Sequence, residues 1–197
     1  DVRIAVDANQ RWDVGDAIEW MTALAPGRPY WIEEPTSPDD ILGHAAIRRA
    51  LQPTGIRVAT GEHVQNRIIF KQMLQADAID VLQADVSRAG GITEVNKIQA
   101  MARAHHLQWN PHTFNDILTV VSNLHLVAAS PHPAMFEWDV TYNELMTHLT
   151  TEPIEVVDGL LHPPTGNGLG VEIDEDFVAE HVWAGERSIG TGAGMRV

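Results

Sequence analysis

The sequence predicts an α/β fold, a (β/α) barrel of parallel strands, and three observations carry that prediction. Short apolar runs alternate strictly with amphipathic stretches. The strand-and-helix unit recurs about every 25 residues. Nearly every apolar run ends in a lone acid or histidine, and a barrel places all such ends on one rim. The near-uniform unit length and the apolar strands favour a barrel over an open doubly wound sheet. A dinucleotide-binding sheet is the weaker reading, because no Gly-x-Gly-x-x-Gly follows a strand and Gly90-Gly91 alone is a poor phosphate loop.

The elements follow in order. Residues 4–6 form a first strand that runs into Asp7-Ala8-Asn9-Gln10. Asp13 is placed to cap a helix carrying Val14, Ala17, Ile18, Met21 and Leu24 at three- and four-residue spacing, and Pro26-Gly27 ends it. A second strand over 30–32 stops at Glu33-Glu34-Pro35, and Pro38-Asp39-Asp40 opens a helix over 41–51. A third strand, 56–59, leads to Gly61-Glu62-His63, and Asn66 precedes the next helix. A fourth strand, 79–82, runs to Asp85; Gly90-Gly91 introduces a helix with Val95, Ile98, Met101 and Ala102. A fifth, 107–109, leads to Asn110-Pro111-His112, then an apolar helix over 117–129. A sixth strand is predicted over 134–136, ending in Glu137-Trp138-Asp139. Beyond it the chain is rich in proline and glycine, with short strands such as 171–173 and a loose end over 190–197.

Composition narrows the function. With 197 residues, 44% of them hydrophobic, the chain can bury a substantial core. A net charge of -14 argues against a nucleic-acid or anionic-membrane partner. An acidic protein still binds an anionic substrate if a cation in the site reverses the local field. The absence of cysteine excludes thiolate metal sites and a disulfide framework. No 18-residue apolar run or basic-then-apolar leader is present, so the expectation is a cytoplasmic, soluble protein.

The residues at the strand ends are Asp7, Glu33, Glu62, Asp85, His112 and Glu137, spaced by 26, 29, 23, 27 and 25. One acid after a strand is ordinarily a turn residue or a helix cap; six positions in phase are not explained that way. Asp7, Glu33 and Glu62 on successive strands suit a hard, oxygen-preferring cation, and octahedral Mg2+ would leave places for water and substrate. Asp85 beside His112 makes a carboxylate-imidazole pair for acid-base work near neutral pH. Glu137, if protonated, can hydrogen-bond charge that develops on substrate. Glu34 should face away from Glu33 and pair elsewhere. Asn9, His63, Arg88, Trp138 and Asp139 complete the substrate-binding candidates, with Trp12 as a second possible wall; the other histidines lack the phase.

In order along the chain, Val6-Asp7-Ala8-Asn9, Trp31-Ile32-Glu33-Glu34-Pro35, Gly61-Glu62-His63, Asp85 before Gly90-Gly91, Pro111-His112 and Phe136-Glu137 resemble the mandelate racemase subgroup of the enolase superfamily. The run 168–174 extends the likeness. Residues 32–44 and 58–63 look most like acid-sugar dehydratases of the L-fuconate type, whereas 112–116 depart from that pattern and leave the sugar acid open. The resemblance implies Mg2+ on Asp7, Glu33 and Glu62, a His112–Asp85 dyad, and Glu137 on the substrate carboxylate. It also implies an incomplete barrel of about six of eight strands. The family's N-terminal capping domain and first two strands, with their Lys-x-Lys motif, have no counterpart here.

Residues 1–140 are then a partial barrel and 141–197 a segment returning toward the capping region. The implied reaction removes the proton α to a carboxylate and then eliminates water, giving a 2-keto-3-deoxy acid. Racemisation or epimerisation of a 2-hydroxy acid is one alternative; a non-catalytic fragment that needs a partner chain is another. The expected partners are a small sugar acid and either further copies of the chain or the segment that completes barrel and cap, since open sheet edges associate.

Overall fold

Helices in this chain begin where short polar side chains take up free backbone N–H groups. In the computed structural model, which describes residues 2–131 and 135–182, Asn66 accepts from the amides of Ile68 and Ile69. Asp116 does the same for Leu118 and Thr119, and Asp40 accepts from Gly43 at 2.7 Å. Asp13 occupies the predicted cap position, but its side chain makes no capping bond.

The alternation is as predicted through five units: β1 Ala5–Asp7, α1 Val14–Leu24, β2 Trp31–Glu33, α2 Ile41–Leu51, β3 Arg57–Thr60, α3 Arg67–Gln75, β4 Val81–Leu82, α4 Ile92–Ala104, β5 Gln108–Trp109 and α5 Ile117–Ala128. All five strands are parallel and lie in sequential order, β1-β2-β3-β4-β5. Each helix packs against the next, α1 on α2 through to α4 on α5, so the helices cover one side of the sheet. Strands in chain order with helices on one side form the wall of a barrel, not a doubly wound sheet. The helix-to-sheet layer is built from Met21, Ile32, Ile47, Leu51 and Val58 at one end. Phe70, Met73, Ile79, Leu82, Val95 and Ile98 build it at the other. Each of these large side chains contributes about 1.5–3 kcal/mol on burial.

Two expectations need correction. No strand forms at residues 135–139, and residue 134 of the predicted sixth strand lies outside the described residues. That segment is tied to the chain after β5 by single contacts rather than a ladder: Thr113 donates its amide to Glu137 Oε2 at 3.0 Å and its hydroxyl to the Glu137 carbonyl. The strand predicted over 171–173 is reduced to one antiparallel bridge, Thr150 with Ile173. This C-terminal segment, with short helices α6 Glu144–Thr147 and α7 Glu175–Glu180, instead packs Phe136, Trp138, Met146, Leu149, Leu169 and Val171 on α5. The end predicted to be loose, 190–197, also lies outside the described residues.

Candidate active site

Strand register sets the height of each side chain on the rim. Asp7 and Glu33 are register partners at the ends of β1 and β2. Glu33 in turn pairs with Ala59, so Glu62 stands three residues above that level. The chain reaches this height through Gly61, whose φ is +146°. A Cβ there would lie 2.8–2.9 Å from backbone atoms of Gln83, so the close approach of the β3 and β4 ends requires glycine. Leu82 pairs with Trp109, and Asp85 and His112 each lie three residues further on. The upper tier is therefore Glu62, Asp85 and His112, above a lower tier of Asp7 and Glu33.

In the upper tier, His112 Nδ1 lies 2.7 Å from Asp85 Oδ2 and its Nε2 lies 3.3 Å from Glu62 Oε2. Both members of the dyad are buried. Asp85 Oδ1 accepts from the amide and hydroxyl of Ser87, and Asn123 holds the His112 carbonyl at 2.8 Å. Burial pushes Asp85 up, but hydrogen bonds from His112 and Ser87 outweigh it and hold the carboxyl below its ordinary range. Burial pulls His112 down, yet the Asp85 bond and the charges of Glu62 and Glu137 raise the imidazole above its usual value.

A cavity of about 520 Å³ opens in front of this pair. Nine of the eleven site candidates line it: Asp7, Asn9, Glu33, Glu62, Arg88, His112, Glu137, Trp138 and Asp139. Asp85 supports His112 from behind, as a dyad requires. His63 was expected in the pocket and does not line it; its Nδ1 is held 2.8 Å from Glu34 Oε1. Trp12 packs against the Ala8–Ile32 core and is not among the cavity walls. Phe114 and Val140 line the cavity without having been predicted. Ser87 was also missed, although a serine two residues after an aspartate is a recognisable turn signal.

The lower tier is short of positive charge. Burial, with Glu137 and Asp7 nearby, pushes Glu33 up to about 7, against hydrogen bonds from Gln83 and Trp31. Burial and Glu62 also raise Asp7, whose close partners are the amide and side chain of Asn9, both at 2.8 Å. Glu137 is raised by burial and by Glu62 and Asp7. Carboxylates that face one cavity and repel one another, with no thiolate beside them, fit a hard divalent cation. Asp7, Glu33 and Glu62 lie more than 4.8 Å apart as a set; among the described residues, Glu34, Glu62 and His63 form the tighter trio. That trio is already satisfied internally, because His63 Nδ1 sits between Glu34 Oε1 at 2.8 Å and Glu62 Oε1 at 3.1 Å.

The same order of residues and elements is found in known proteins. The Enolase C-terminal domain-like family matches residues 1–177. This chain belongs to that family. Mitochondrial enolase superfamily member 1 of Bos taurus is 44% identical over 184 residues, which cover 90% of this chain and 41% of that protein. The crystal structure of a candidate mandelate racemase from Bordetella bronchiseptica RB50, complexed with 2-oxoglutarate/phosphate, superposes with a TM-score of 0.89 at 57% identity, covering 94% of this chain and 49% of that one. L-Talarate dehydratase from Polaromonas sp. JS666, complexed with Mg and L-glucarate, gives a TM-score of 0.77 at 32% identity over 90% of this chain and 46% of that one. Other relatives include L-galactonate and D-mannonate dehydratases and a D-galactarolactone cycloisomerase. The chain thus spans less than half the length of these relatives and corresponds to part of an enolase-superfamily barrel. No helix among the described residues is long and apolar enough to cross a membrane.

Proposed function

We propose that this chain carries the acid-base and metal-binding half of a Mg2+-dependent acid-sugar dehydratase. The observation that carries the reading is the dyad: Asp85 holds His112 Nδ1 at 2.7 Å, which leaves Nε2 to the cavity that Asp7, Glu33 and Glu62 line. Acid-sugar dehydratases among the relatives support it.

Asp7, Glu33 and Glu62 are the residues that would hold Mg2+, which when bound supplies positive charge to a substrate carboxylate as its α-carbon is deprotonated. Asp85 keeps the Nδ1 proton of His112 in place and stabilises the imidazolium. Nε2 accepts the α-proton and returns it to the departing 3-hydroxyl, so that one proton carrier balances the loss of water. The resulting enol tautomerises to the 2-keto-3-deoxy acid. Arg88 and Glu137, on the cavity wall, bind the polar groups of the sugar acid; Glu137 donates a hydrogen bond when protonated, consistent with the upward push on its carboxyl. Trp138 and Phe114 supply apolar wall.

Racemisation would need a second base across the cavity from His112; the acid-sugar dehydratases among the relatives favour the elimination reading. The test is a panel of aldonic and aldaric acids assayed for keto-acid product with and without Mg2+. Product that depends on Mg2+ and is lost in His112→Asn supports the reading; Mg2+-independent or unchanged turnover contradicts it.

A further inference from the structure

Glu34 takes no part in the steps above, yet it is a fully buried acid of the rim, as enclosed as Asp85 of the dyad. Its backbone is left-handed, φ +38°, and so is that of Gln10, φ +63°. Neither is glycine, and such strain persists only where surrounding contacts impose it. The contacts are specific. Gln10 donates its amide to the Glu34 carbonyl at 2.8 Å and its side-chain Nε2 to Glu34 Oε2 at 2.9 Å. The Glu34 amide donates to the Ala59 carbonyl at 3.0 Å. Glu34 thus ties together the ends of β1, β2 and β3.

The other end of this clamp is His63. Its Nδ1 lies 2.8 Å from Glu34 Oε1, 3.1 Å from Glu62 Oε1 and 2.8 Å from Gln10 Nε2. Its Nε2 lies 3.5 Å from Arg88 Nη1, which itself donates to Glu62 Oε1 at 2.9 Å. One carboxylate oxygen of Glu62 is therefore held by His63 and Arg88, and the other faces His112. We propose that Glu34, acting through His63, is a positioning pair for Glu62: it fixes the Glu62 carboxylate toward the cavity before a cation arrives. The His63 side chain is 42% exposed, so its bonds add little to stability, and a buried glutamate is not needed merely to bond Gln10. The inference rests on the Mg2+ reading above and assigns roles to two residues which that reading leaves unused.

The test is Mn2+ and Mg2+ affinity, read by calorimetry on the metal-free chain, for wild type, Glu34→Gln, His63→Gln and the double variant. Partners that orient a metal ligand typically contribute about 10–100-fold in affinity. Each single variant should lose about tenfold, and the double variant no more than the worse single, because the two act in series. His63→Gln keeps the measurement open if Glu34→Gln fails to fold. Affinity within about twofold of wild type in His63→Gln, or additive losses in the double variant, overturns the proposal. If Glu33→Gln abolishes binding while His63→Gln does not alter it, only this proposal fails. If wild type binds neither ion, the Mg2+ reading fails and this one with it.

Discussion

Asp85 Oδ2 and His112 Nδ1 lie 2.7 Å apart with both side chains buried, and Ser87 closes the other Asp85 oxygen. The imidazole therefore has Nδ1 committed to Asp85, while Nε2 faces the cavity 3.3 Å from Glu62 Oε2. Replacing Asp85 by Asn keeps the shape but removes the charge that stabilises the imidazolium. The expected result is a fall in kcat of about 10²–10⁴-fold with little change in KM, measured by steady-state assay.

Gly61 is a second point of leverage. A methyl group there would meet Gln83 backbone atoms at 2.8–2.9 Å, and its φ of +146° is hostile to any side chain. Gly61→Ala should cost about 1–3 kcal/mol in urea unfolding. It should also displace Glu62 and weaken metal binding, whereas alanine at Gly55, where an added Cβ meets nothing within 4 Å despite a φ of +77°, should leave metal binding unchanged.

Glu33 illustrates a conflict between stability and function. Its carboxyl is pushed up to about 7 by burial and neighbouring acids, so ionising it in the folded chain is unfavourable. A group raised in the folded state contributes most below its unfolded value and loses that contribution as pH rises through the folded one. Glu33→Gln should therefore raise the Tm of the metal-free chain at pH 8 while abolishing the shift that Mg2+ gives to wild type. Thermal scans with and without the ion check both.

His44 provides a pH test away from the site. It is fully buried, Nδ1 lies 2.9 Å from the Asp40 carbonyl, and Nε2 is buried with no hydrogen-bond partner among the described residues. Burial lowers its pKa, against Asp40 and Glu34, which pull it up. The unfolded chain then binds the proton more readily, so the stability due to neutral His44 is complete above about 6.5 and declines as pH falls below it. The urea midpoint of wild type relative to His44→Gln should shrink between pH 7.5 and pH 5.5.

The barrel was legible because hydrophobic alternation and strand-end acids are both local signals. Asp7, Glu33, Glu62, Asp85, His112 and Glu137 all reach one rim, as their phase implies. Their heights were not legible: equal phase along the chain hides the offset that Gly61 introduces between Glu33 and Glu62, because register depends on how close two strands approach. Strand alternation turns Glu34 away from Glu33, but adjacency to Glu62 does not reveal which way the His63 ring turns, and it turns to Glu34 rather than into the cavity. The sixth strand failed for a related reason. Residues 135–136 have strand-like composition, but a strand needs a ladder, and among the described residues the chain after β5 offers this segment only the bonds from Thr113 to Glu137.

The most direct test of the account follows the α-proton itself. The chain is incubated in D2O with Mg2+ and an acid sugar that it accepts, and the C2–H signal is followed by NMR. The account predicts that the signal is lost with wild type as keto acid forms, and is retained with His112→Asn or when the metal is chelated. Loss of the signal at wild-type rate in His112→Asn would contradict it.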